Sequence, residues 1–66
     1  MKKIILAIDV MGGDHGPETT IEGVAIASKV YPKVIFKLFG NKKKIFNCLN
    51  KYKKFTNYEL VHTNES

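Results

Sequence analysis

A parallel β-α-β-α-β arrangement is the fold class this sequence predicts, on three observations. Ile4 to Ile8 is an unbroken apolar run, and Val34 to Phe39 is another, interrupted only by Lys37. Runs without alternation suit strands of a parallel sheet covered on both faces. Between them, Ile21, Val24, Ala25 and Ser28 recur at helical spacing, and Ile45, Cys48, Leu49 and Tyr52 repeat that pattern further on.

The first strand passes into a loop, Val10 to Pro17, that carries three glycines. Pro17 suits the first position of a helix, where its missing N–H is no loss, and Glu18 and Glu22 place negative charge near the positive end of the helix dipole. The first helix ends at Tyr31-Pro32, because a residue before proline is pushed out of helical angles. Gly40 closes the second strand, and Asn41 is the predicted N-cap of the second helix. Lys42, Lys43 and Lys44 crowd the first turn of that helix, where positive charge opposes the dipole, so some other need must tolerate them. Tyr58 to His62 is the predicted third strand.

Right-handed crossovers joining strands that add in one direction put both helices on one face of the sheet and leave the other bare. The first strand is apolar on both sides, so its bare face would meet water, which monomeric proteins rarely allow. The 66 residues are therefore expected to form one unit without separate domains, the N-terminal part of a larger three-layer Rossmann-like domain. A chain this short is marginal without a staple. Cys48, the only cysteine, cannot form an intramolecular disulfide, and no Cys/His spacing fits a structural zinc site.

The net charge of +5 comes from lysine alone, with no acidic residue between Gly23 and Tyr58. A cationic field of this kind favours an acidic partner or an anionic surface, or is simply a solvated face. The absence of arginine argues against a nucleic-acid reader. Asp9 breaks the first apolar run after five residues, too early for a secretion signal or a membrane span. A cytoplasmic location is expected, with any membrane contact peripheral.

The segment from Asp9 to Pro17 is where chemistry is expected, since open α/β sheets bind ligands at the carboxyl ends of their strands. Gly12 and Gly13 permit close backbone approach, and N–H groups at the start of a helix suit an anion such as phosphate. The spacing is neither a dinucleotide fingerprint nor a P-loop. Asp14 would repel a phosphate, so it is read as orienting a neighbour, capping the helix or holding a cation.

An apolar strand running into I-D-x-M-G-G-D-x-x-P, carried here by Ile8, Asp9, Met11, Gly12, Gly13, Asp14 and Pro17, resembles the opening of the phosphate acyltransferases of the PlsX family. Val61-His62-Thr63 followed by Glu65 is similar to that family's segment after its third strand. Val10 departs from the alanine more usual there. The resemblance implies transfer of a fatty acyl group from acyl carrier protein to inorganic phosphate, giving acyl phosphate for phospholipid synthesis, with no cofactor or metal. It assigns Asp9, Met11, Gly12 and Gly13 to phosphate binding and Asp14 and His15 to catalysis. A purely local role stands beside it, in which Asp9 fixes the loop and Asp14 and His15 cap the helix. It further implies that Lys42, Lys43, Lys44, Lys51, Lys53 and Lys54 meet the acidic carrier protein or an anionic membrane, and that the full-length enzyme is a homodimer. Family members are several times longer, so this chain alone is expected to be inactive. The competing reading is a non-enzymatic anion-binding module for a phosphate-bearing ligand or nucleic acid, built on the glycine loop and the lysines. Cys48 shares the apolar face with Ile45 and Leu49 and is read as core, and His62 is expected at the same sheet edge as the glycine loop.

Overall fold

The computed structural model describes residues 3–12 and 16–64. Its elements are β1 (Ile4–Asp9), α1 (Gly16–Val30), β2 (Val34–Gly40), α2 (Lys42–Leu49) and β3 (Tyr58–His62). The three strands form one parallel sheet in the order β1-β2-β3, as the sequence predicts.

Register decides which side chains meet. Ile4, Leu6 and Ile8 stand opposite Val34, Phe36 and Leu38 on one face, with Tyr58 and Leu60 continuing the rows into β3. Onto this face pack Ile21, Val24 and Ala25 of α1 and Ile45, Cys48 and Leu49 of α2, so both helices lie on the same side. Leu38, Ile21 and Ile45 are fully buried, and burying side chains of this size contributes ~1.5–3 kcal/mol each. Ser28, the one polar residue of the α1 stripe, is buried with its hydroxyl donating to the Ala25 carbonyl at 2.7 Å, which removes most of the penalty for burying it.

Three details differ from the sequence reading. Helix α2 ends at Leu49, so Tyr52 lies past it, in turns where Lys51 and Tyr52 donate to the carbonyls of Cys48 and Leu49. Tyr52 still packs against the core. Phe55, in the connection to β3, is buried, edge-on to Phe36 at 6.0 Å and 5.0 Å from the Tyr58 ring. Val10, read as loop, is fully buried, and its N–H donates to the Phe39 carbonyl at 3.0 Å, extending the β1 to β2 pairing by one residue.

β1 stands apart from the other strands. It lies at the sheet edge, and Ile4, Ile5 and Leu6 are 57%, 58% and 46% exposed. Ile5 belongs to the bare face foreseen from the sequence, but Ile4 and Leu6 belong to the helix side. An edge strand is only partly reached by helices that sit over β2 and β3, so both faces of β1 meet solvent.

Candidate functional site

The carboxyl ends of the three strands lie along one edge of the sheet, and each takes part in a specific contact there. At the end of β1, Asp9 accepts N–H groups from Met11 and Gly12 on a single carboxylate oxygen, Oδ1, at 3.2 and 3.1 Å. This Asx-type turn bends the chain away from the strand. A Cβ on Gly12 would stand 2.9 Å from Asp9 Oδ2, so a side chain there would push on the carboxylate that holds the turn. Asp9 thus fixes the loop backbone, and the Gly12 N–H is committed to Asp9 in this conformation. Gly13, Asp14 and His15, assigned to phosphate binding and catalysis by the family resemblance, lie outside the described residues. Gly16, the first residue of α1, has a φ of 77° that favours glycine.

Met11 then crosses the end of β2. A Cβ on Gly40 would lie 2.5 Å from Met11 Cγ and 3.1 Å from Ile45 Cδ1. The missing side chain at Gly40 is the slot that receives Met11. Gly40 also accepts the Thr63 N–H on its carbonyl at 2.9 Å, which pins the residue after β3 to the end of β2.

The first turn of α2 is held from two directions. Asn41 Oδ1 accepts the Lys44 N–H at 3.0 Å, confirming the predicted N-cap. His62 Nδ1 accepts the Lys42 N–H at 3.1 Å, so this ring nitrogen carries no proton. Nε2 lies 3.2 Å from Asn64 Oδ1 and, as the protonated nitrogen, donates to it. The His62 ring therefore links the end of β3 to the start of α2. The sequence placed His62 at this edge but gave no sign of that bond, which joins residues 20 apart in the chain.

Together Met11, Asn41, Lys44, His62, Thr63 and Asn64 line a polar hollow of about 280 Å³. Thr63 entered the sequence reading only within the family-like Val61-His62-Thr63 segment, Asn64 was not singled out, and Lys44 was assigned to carrier-protein or membrane contact; the signal available was that strand ends in a parallel sheet carry the site. A larger apolar hollow of about 460 Å³ lies elsewhere, between α1 and the segment following α2, bordered by Ala25, Ile26, Phe55, Lys53 and Lys54. Residue chemistry, not size, marks the polar hollow as the candidate site.

The lysines do not form one patch. Lys42, Lys43 and Lys44 occupy the first turn of α2 beside the polar hollow. Lys51 points to Glu18 of α1 at 3.9 Å, an exposed pair of little energetic weight. Lys53 and Lys54 border the apolar hollow. Cys48 is buried, and its thiol is raised above the ordinary 9.0, first by burial and then by the Glu18 carboxylate, with Lys51 acting the other way. It is a core residue, as the sequence predicted. Among the described residues no cluster of three or more His, Cys, Asp or Glu could hold a metal ion, and no helix is long and apolar enough to cross a membrane.

Fold and site together define a parallel α/β unit with a polar, lysine-bordered hollow at the carboxyl edge of its sheet. Comparison with known proteins carries this to a family. The family model described as "Fatty acid synthesis protein" matches residues 4–66. The chain is 45% identical over 65 residues to the phosphate acyltransferase of Ligilactobacillus salivarius, 43% over 63 to that of Bartonella bacilliformis and 42% over 64 to that of Parvibaculum lavamentivorans. These matches cover 98%, 96% and 96% of the chain and 18% of each relative. The chain belongs to the fatty acid synthesis protein family, among whose members are these phosphate acyltransferases, and it spans 18% of their length.

Proposed function

We propose that the chain supplies the amino-terminal part of an acyltransferase site that moves a fatty acyl group from acyl carrier protein to inorganic phosphate. The observation that carries this reading is the family match along residues 4–66, joined to a strand-end hollow bordered by Lys44. In the reaction a phosphate oxygen attacks the thioester carbonyl carbon, the C–S bond breaks, and the carrier thiol leaves as its thiolate. Phosphate is already anionic near neutral pH, so positioning and oxyanion stabilisation matter more than a general base.

In this reading Asp9 shapes the start of the loop, and Gly12 and Gly13 belong to the segment that binds phosphate. Met11, seated over Gly40, forms the floor, and Asp14 and His15 stand at the reacting centre. Lys44 and the N-terminal turn of α2 add positive potential. Lys42, Lys43, Lys51, Lys53 and Lys54 meet the acidic carrier protein or an anionic membrane from the cytoplasmic side, and the complete enzyme is a homodimer.

The chain alone is expected to be inactive, because the groups facing the hollow come from the remainder of the family's polypeptide. The test is acyl phosphate formation from acyl carrier protein thioester and phosphate. No product is expected from the 66 residues and turnover from a full-length relative carrying them. Turnover by the chain alone would contradict its incompleteness, and no turnover by either would contradict the reaction. Replacing Lys42, Lys43 and Lys44 by glutamine should weaken binding to anionic vesicles by ~1 kcal/mol per residue, about fivefold each. Unchanged vesicle binding would remove the membrane part of the reading.

A further inference from the structure

The apolar hollow between α1 and the segment following α2 plays no part in the strand-end site, and topology keeps the two apart. Pro17 and Glu18, at the start of α1, share a hollow with Lys44, at the start of α2 beside the strand ends. From there α1 runs back toward the start of β2, and residues 50–57 lead to the start of β3. At a helical rise of ~1.5 Å per residue, Ala25 to Lys29 lie about 14–20 Å along α1 from Gly16. The apolar hollow therefore stands toward the amino-terminal edge of the sheet.

Its lining is apolar below and cationic above. Ala25 and Phe55 form a buried floor, and Ile26 is an exposed apolar wall. The buried Ser28 hydroxyl is already spent on the Ala25 carbonyl, so the floor suits an aliphatic group. Lys29 stands on the α1 side, and Lys53 and Lys54 stand on the other, all three exposed. Among the described residues that line the hollow none is acidic. Lys51, also at the rim, is directed to Glu18 and is left out of the count.

We propose that this hollow binds a single-chain amphiphile with an anionic head. The aliphatic chain rests on Ala25 and Phe55 against Ile26, and the head lies among Lys29, Lys53 and Lys54. Long lysine stems add apolar cover to the chain while their ammonium groups reach the head. A volume of about 460 Å³ falls within the ~300–1,000 Å³ of small-molecule sites. Lysines on both walls surround one opening, which fits a single head better than the broad face of a bilayer or of a protein. The inference does not rest on the acyl-transfer reading. It concerns the opposite edge of the sheet, and it gives Lys53 and Lys54 one small ligand where that reading gives them a broad acidic partner.

The test is a titration of the chain with decyl phosphate below its micelle concentration, followed by NMR. Saturable shifts are expected at Ala25, Ile26 and Phe55, with Met11 and His62 unmoved. Replacing Lys29, Lys53 and Lys54 together by glutamine should weaken binding about tenfold or more. The same change at Lys42, Lys43 and Lys44 removes equal charge at the other edge and should leave the affinity as it was. Inorganic phosphate and decyl maltoside, each lacking one half of the ligand, should bind far more weakly. No saturable binding, equal losses from the two lysine triples, or equal binding of decyl maltoside would overturn the proposal. Shifts at these residues with acyl-free carrier protein but not with decyl phosphate would also overturn it and make the hollow a protein-docking surface. If the isolated chain does not fold, the Ala25 and Ile26 methyl signals decide in the Ligilactobacillus salivarius relative carrying residues 1–66 in place of its matched region. No acyl transfer is measured, so failure here leaves the reading of the strand-end site standing.

Discussion

β1 and β2 lie side by side in register, and the more apolar of the two is the less buried. β1 reads Ile-Ile-Leu-Ala-Ile-Asp and stays largely exposed, whereas β2 includes Lys37 and yet buries Val34, Phe36, Leu38 and Gly40 in alternation. Burial follows a strand's place in the sheet, since β2 has a strand on each side and two helices above it. Composition instead records the environment for which a sequence is suited. The mismatch in β1 therefore measures how much covering the strand lacks.

Substitutions can break or sharpen that contrast. The largest effect is expected from Leu38→Ala, which deletes a fully buried side chain of β2 and should cost ~2–5 kcal/mol. The same change at Leu6, on the same face of β1, should cost under ~1 kcal/mol, because the side chain is already half in water. Denaturant unfolding of the two variants reads the difference, and equal losses would mean that β1 is covered in solution.

Next in size is Gly40→Ala. The added methyl collides with Met11 and meets a φ of 154°, so a loss of ~1–3 kcal/mol is expected. Gly23→Ala, on the open surface of α1 with nothing within 4 Å, should instead stabilise by ~0.5–1 kcal/mol. Thermal melts of the pair separate a glycine kept for packing from one that is not.

The smallest effect concerns Cys48 on the covered side. Its thiol is held above the ordinary 9.0, so the folded chain keeps its proton after the unfolded chain has lost it. Stability from this source is intact below the unfolded value and falls as pH rises through it. Alkylation near pH 8 should be slow until denaturant is added, and rapid labelling of the native chain would place Cys48 outside the core.

Much of this was legible in the sequence. Apolar runs and helical spacing fixed five elements, Asn41 announced its cap, and one-directional addition of strands foretold the bare face. Long-range partners were less legible. Val10 looked like loop because its burial depends on Phe39, and Phe55 stands alone among polar residues, so no periodicity marked it. At the site, the glycine loop was visible as a motif. The slot that Gly40 offers Met11 and the bond from Lys42 to His62 exist only once three strand ends meet. The exposure of Ile4 and Leu6 was hidden for the opposite reason, since the sequence describes a strand suited to full covering.

That exposure is directly measurable. A soluble paramagnetic agent should broaden the methyl signals of Ile4, Ile5 and Leu6 in the isolated chain while sparing those of Leu38 and Ile45. Equal protection of both groups would show that β1 is already enclosed, and would contradict the account of a sheet left open along β1.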